Sequence, residues 1–312
     1  MTMTYITKLR STILLLALLG TALAAAILGS PAFADGSPQI GVTIHQASGN
    51  ASGVFQVQAQ PGETVEAGTV EVVSSSDFPV EAQTDAVNGI TNSMLGADYG
   101  GMTEHPVGAA SWLDLGNGII SIAPDSSVLI PVAVQVPSTA LPGDYLSGVS
   151  IYALNQDCAD GDNFCSTTRL VVGVEVQIPG PSDPVVTLSG IKTQQRPQGV
   201  LLSLLANNPG NVILQNVTGS VVITSGGHLV KELTIEPGTF VSQTSIEYPI
   251  YLVPCLFCTP PSPTVYHVQA TMTYAGGTAQ LSQNVTVGGP PEKKPSSKQR
   301  PRKHHHRPRA ES

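Results

Sequence analysis

An all-β fold of two tandem immunoglobulin-like β-sandwiches, with an N-terminal signal helix and a disordered basic C-terminal tail, is predicted by three observations. Between Ile122 and Ile151, Val128, Ile130, Val132, Val134 and Val136 recur at every second position; a Pro/Ser/Gly turn follows, and Tyr145, Ser147, Val149 and Ile151 resume the alternation. That is the period of half-buried strands joined by a loop. The chain carries Gly 31 and Pro 25 with only 12% charged residues, a composition suited to turn-rich β structure. From residue 185 onward, short apolar-alternating runs are separated by turn residues at the spacing of a seven-stranded sandwich.

The first 34 residues read as a secretory signal. Lys8 and Arg10 precede a Leu/Ala-rich run from Thr12 to Leu28, and Ala32-Phe33-Ala34 offers the small residues a signal peptidase accepts, so cleavage is expected before Asp35. Retained, the same run approaches the roughly 20 apolar residues of a membrane span. A membrane is therefore a partner only if the signal stays on.

The first domain is placed at residues 40–178. Val54 to Gln60 reads as a strand, Pro61-Gly62-Glu63 as a turn, and Thr64 to Val73 as a second strand. Phe78, Val80, Ala82 and Thr84 are again spaced at two. The stretch 88–106 is rich in Gly, Asn and Asp without a period, and reads as a long surface loop, the place where binding tends to sit. Trp112, the single Trp, is expected as a core anchor because strand patterns surround it. Leu170, Val172, Val174, Val176 and Ile178 close the domain.

Residues 179–184, Pro-Gly-Pro-Ser-Asp-Pro, form a short semi-rigid linker. The second domain, 185–288, reads as strands at Val185 to Ile191, Val200 to Ala206, Val217 to Thr224, His228 to Ile235, Ser245 to Leu252, Tyr266 to Tyr274 and Thr278 to Val287. Ser225-Gly226-Gly227 and Ala275-Gly276-Gly277 read as hairpin turns. The two domains echo each other: Val136-Pro137 and Val253-Pro254 each end an apolar strand, and Tyr145 and Tyr266 open the next. Residues 289–312 lose periodicity and should be disordered.

The formal net charge of −8 hides a division. Residues 35–288 hold 20 acidic against four basic side chains, a net of −16, whereas 289–312 hold eight basic against two acidic, a net of +6. An acidic body thus carries a basic tail that can attract anionic polymers.

Four cysteines fall in two close pairs. In an exported chain the proximity suggests Cys158–Cys165 and Cys255–Cys258 disulfides, although four cysteines allow three connectivities. Cys255-x-x-Cys258 lies among Pro254, Pro260, Pro261 and Pro263 rather than at a helix start, which favours a loop staple over redox chemistry. Asp157, Asp160, Asp162 and Asn163 offer oxygen ligands for calcium, but the spacing departs from the calcium-loop pattern and turn chemistry accounts for it. No G-x-S-x-G or H-E-x-x-H is present, and His45, His105, His228 and His267 are far apart. No catalytic residue, cofactor or resident metal is expected. His304-His305-His306 belongs to the basic run. The sequons at Asn50, Asn216 and Asn284 are read as accidental in a bacterial export.

Taken in order, Pro61-Gly62-Glu63-Thr64, Val70 to Val73, Asp77-Phe78-Pro79-Val80, Ser111-Trp112-Leu113, Ile122-Ala123-Pro124 and Pro142-Gly143-Asp144-Tyr145 resemble the WxL-interacting cell-surface proteins of Gram-positive bacteria. The resemblance covers Gly41 to Ile178. Asn208-Pro209-Gly210-Asn211 followed by Gly219-Ser220-Val221-Val222 resembles the second sandwich of the same proteins. It implies a first domain associated with peptidoglycan and a second that binds host or partner surfaces, with no catalytic residue carried over. The chain departs from the family's pattern of a C-terminal membrane helix, since Gly288 to Pro291 leads straight into basic residues.

The expected function is that of an exported, non-enzymatic envelope protein binding peptidoglycan, an anionic wall polymer or another surface protein. The alternatives are an adhesin or assembly module acting by β-strand pairing, and an enzyme accessory domain. No specific nucleic-acid partner is expected, because the basic tail has no aromatic residue for stacking.

Overall fold

Residues 38–48, 53–116, 118–154, 168–196, 199–252 and 263–288 are described by the computed structural model. The signal segment, the tail, Cys158, Cys165, Cys255, Cys258 and the Asp157–Asn163 carboxylates lie outside the described residues. Two compact units emerge: Met1–Gly89 with Tyr99–Gly180, and Ile90–Asp98 with Pro181–Ser312. Among the described residues the only helix is one short 3-10 turn, so the all-β class holds.

In the first unit the strands are β1 (Ile40–Gln46), β2 (Val54–Gln58), β3 (Thr64–Ser74), β4 (Val80–Thr91), β5 (Ala97–Tyr99), β6 (Leu113–Asp114), β7 (Ile119–Ile122), β8 (Ser127–Gln135), β9 (Gly143–Ala153) and β10 (Arg169–Ile178), with the 3-10 turn at Gly108–Trp112. The last residues of β4 and the first of β5 belong to the second unit. One sheet runs β1-β3-β8-β6; the other runs β2-β10-β9-β4-β5, with β7 also on β4. The alternation seen in sequence becomes a core: Ile130, Val132, Val134 and Val136 face Val149, Ile151, Val172, Val174 and Val176. Each such side chain contributes roughly 1.5–3 kcal/mol on burial. Trp112 is 9% exposed and joins this core, as its surroundings predict.

β1 is not among the predicted strands. Its residues nonetheless alternate in period two: Ile40, Val42 and Ile44 pack on the core while Gly41, Thr43 and His45 face outward, and it pairs antiparallel with β3. β2 instead pairs parallel to β10, with Val54 opposite Gly173 and Gln58 opposite Gln177.

The second unit contains all seven predicted strands: β11 (Thr187–Arg196), β12 (Gly199–Asn208), β13 (Leu214–Ser225), β14 (His228–Phe240), β15 (Thr244–Leu252), β16 (Thr264–Tyr274) and β17 (Gly277–Val287). They form sheets β11-β12-β15 and β14-β13-β16-β17. Gly226 and Gly227, at φ 57° and 82°, make the β13–β14 hairpin. Two successive positive φ values are what a tight primed turn needs and what a Cβ resists. Leu202, Leu204, Ile223, Phe240 and Ile250 lie in the core.

Candidate binding surfaces

The aperiodic stretch 88–106 is not one free loop. Asn88 organises its second half: its backbone oxygen accepts from Gly100 N at 2.8 Å, its Nδ2 donates to His105 O at 3.1 Å, and its Oδ1 accepts from Val107 N at 2.8 Å. The intervening turn is held by Asn92 Oδ1, which accepts from Met94 N and Gly96 N. Leu95, at 2% exposure, is buried in the core of the second unit, and its carbonyl oxygen accepts from Thr239 N at 2.7 Å. Thr91 Oγ1 accepts from Val241 N at 2.9 Å. Residues 90–98 are therefore structural parts of the second sandwich, and only 99–106 remain of the expected binding loop beyond them. A lone Leu among Gly, Asn and Asp carries no periodic signal, so its burial is decided by residues about 140 positions away.

The motif Asn208-Pro209-Gly210-Asn211 forms a knot at one end of the second sandwich. Asn208 is 0% exposed; its Nδ2 lies 3.0, 3.0 and 3.2 Å from the carbonyl oxygens of Val212, Phe240 and Val241, and its Oδ1 accepts from Gly210 N. Asn211 Oδ1 accepts from Asp183 N at 2.7 Å and its Nδ2 donates to Pro181 O at 2.9 Å. The linker residues 181–183 are thereby tied to the second unit.

In the first sandwich, Ser111-Trp112-Leu113 and Pro142-Gly143-Asp144-Tyr145 meet. The Trp112 and Tyr145 rings lie 4.8 Å apart at 57°. Tyr145 Oη donates to Leu141 O at 2.8 Å, four residues upstream, in the manner of the tyrosine corner of immunoglobulin-like sandwiches.

The histidines stay apart. His45 Nε2 lies 2.9 Å from Glu71 Oε2, and Ser127 Oγ donates to Glu71 Oε1 at 2.7 Å. The carboxylate stands between Ser and His, whereas nucleophilic catalysis needs the imidazole between the Ser hydroxyl and the carboxylate. The hydrogen bond from Ser127 and then that with His45 hold the Glu71 carboxyl below its ordinary value. Elsewhere, burial first and the nearby Asp144 second push Glu175 up. His267 lies 2.9 Å from Asn284 Oδ1 through Nδ1, and Ser282 Oγ stands 3.3 Å from its Nε2. With Nδ1–H donating to Asn284, Nε2 accepts from the Ser282 hydroxyl. Among the described residues no three His, Cys, Asp or Glu side chains gather as a metal would require.

His267 also marks a broader surface. The outward side chains of β13, β16 and β17 align as Ser220–Thr271–Gln280, Val222–Gln269–Ser282 and Thr224–His267–Asn284. These three adjacent strands contain no Asp, Glu, Lys or Arg.

No family model matches the chain, and no curated protein matches it. Among solved structures it is similar to the Escherichia coli chaperone DraB, at 15% identity over 80% of this chain and 98% of that one, with a TM-score of 0.34. It is also similar to the Pseudomonas aeruginosa CupB2 chaperone, at 12% identity over 75% and 97%, TM-score 0.32. A PapD-like domain of human CEP192 matches at 11% identity over 49% and 94%, TM-score 0.30. At such scores the likeness carries no argument about function.

Proposed function

We propose that the chain is an exported, non-enzymatic envelope protein whose tandem sandwiches hold peptidoglycan or another surface component. The observation that carries this reading is the meeting of Ser111-Trp112-Leu113 with Pro142-Gly143-Asp144-Tyr145, where Trp112 packs on Tyr145. Two of the ordered motifs that resemble the WxL-interacting proteins thus pack against each other. The placement of His45 and His267 on outer sheet faces, paired with Glu71 and Asn284, supports a binding role over hydrolysis.

The test is retention of the mature protein on purified peptidoglycan, run beside a pull-down from whole envelope extract. Enrichment on peptidoglycan above a bovine albumin control is expected. Absence from both fractions would sink the reading.

A second reading, capture of a partner by strand pairing, is favoured by β1. Among the described residues it is a sheet edge with neither Pro, Lys, Arg, Asp nor Glu among its residues, and such edges pair readily. Prolines placed in β1 that abolish partner capture and leave wall retention intact would select it.

A further inference from the structure

We infer that the outer face of β13, β16 and β17 is a binding surface for a neutral, hydroxyl-rich glycan chain. This rests on the envelope-binding reading and assigns it a face and a ligand class. Solvent faces of antiparallel sheets that serve only solubility carry interspersed charges. This one instead presents Ser220, Thr271, Gln280, Gln269, Ser282, Thr224, His267 and Asn284 in three cross-strand rows; its apolar members are Val222 within the rows and Val265 beside them on β16, and Glu232 of β14 borders it opposite Val222. Gln269, Gln280, Ser282 and Asn284 are exposed.

The chemistry of these side chains narrows the partner. Hydroxyls and carboxamides both donate and accept, so each can match a sugar hydroxyl or N-acetyl group in either sense. Covering a charged side chain with an uncharged ligand would leave a desolvated, unpaired charge, and three strands without Asp, Glu, Lys or Arg avoid that cost. An anionic polymer finds no cation on these three strands and meets Glu232 at their border, and a polar array with only two apolar side chains, Val222 and Val265, lacks the hydrophobic centre of a stable protein interface. Neighbouring strands stand about 4.8 Å apart and like-facing residues about 6.7 Å apart along a strand. The result is a regular lattice of hydrogen-bonding groups rather than a pocket, suited to an extended chain. The His267–Asn284 contact lies within one row and the Ser282–His267 contact ties it to the next.

The experiment measures binding of the full mature chain to a soluble chito-oligosaccharide and to polyglutamate, at low and high salt. Three variants accompany it: the paired Gln269→Glu/Gln280→Glu, the isosteric Thr271→Val, and Gln194→Glu on the outer face of the other sheet as a control. Circular dichroism checks that each is folded. Chito-oligosaccharide binding that resists salt, weakens about tenfold or more in the paired variant and persists in the control is expected. Thr271→Val should weaken it in the same direction, which keeps the test open if the paired variant misfolds. Binding to polyglutamate alone, no oligosaccharide binding, or binding indifferent to the face variants would overturn the inference. Retention on peptidoglycan with unaltered face variants would sink this face and leave the envelope reading standing. Oligosaccharide binding without peptidoglycan retention would do the reverse.

Discussion

Asn208 shows how one polar side chain closes an end of a sandwich. Its carboxamide meets three carbonyl oxygens and one backbone N–H where β12 leaves its sheet, groups that would otherwise be buried unpaired. Asn208→Ala should cost about 1–3 kcal/mol, read as a lower urea midpoint for the second sandwich. Glu71 makes a different prediction. Its folded pKa lies below its unfolded one, owing first to Ser127 and then to His45. Its stabilisation is therefore present above the unfolded pKa and lost as pH falls through the folded one. Glu71→Gln should lower the thermal midpoint at neutral pH and leave it unchanged in acid below the folded pKa. An equal loss at both would assign the effect to packing instead.

Periodicity made the elements legible wherever one face is buried. β8, β9 and β10, and all seven strands of the second sandwich, follow from alternation because a residue's face is decided locally. β1 carries the same alternation, Ile40, Val42 and Ile44 against Gly41, Thr43 and His45, so it too was legible in the sequence although it was not among the predicted strands. The 90–98 segment escaped for a tertiary reason: Leu95 is buried by β13, β14 and their neighbours, which no local window contains. Leu95→Ala should therefore destabilise the second sandwich, by about 2–5 kcal/mol, although its number lies within the first domain. Differential scanning calorimetry of the full chain should show the loss in that transition. The polar rows were half legible. The absence of charge in 214–225 and 264–287 can be read from the sequence. Which side chains share a row needed the register.

At the scale of the whole molecule, charge is unevenly divided. Residues 35–180 hold 16 acidic side chains against Arg169 alone, 181–288 hold four acidic against three basic, and 289–312 carry +6. The anionic burden belongs to the first sandwich, and the second supplies a nearly neutral body beside a basic end. Deleting 289–312 should reduce retention on anionic cell wall at low salt and make little difference at high salt, where screening shortens the reach of the tail. Unchanged, salt-insensitive retention would remove the tether. The parallel pairing of β2 with β10 bears on how an anchored chain carries load. Tension entering before Val54 and leaving past Ile178 pulls the two strands from opposite ends, so their ladder is sheared and its bonds resist together rather than opening one after another like a zip. A protein fixed to a surface at one end and gripping something at the other would then hold longest at this parallel pair, which lies one strand in from the entry, behind β1.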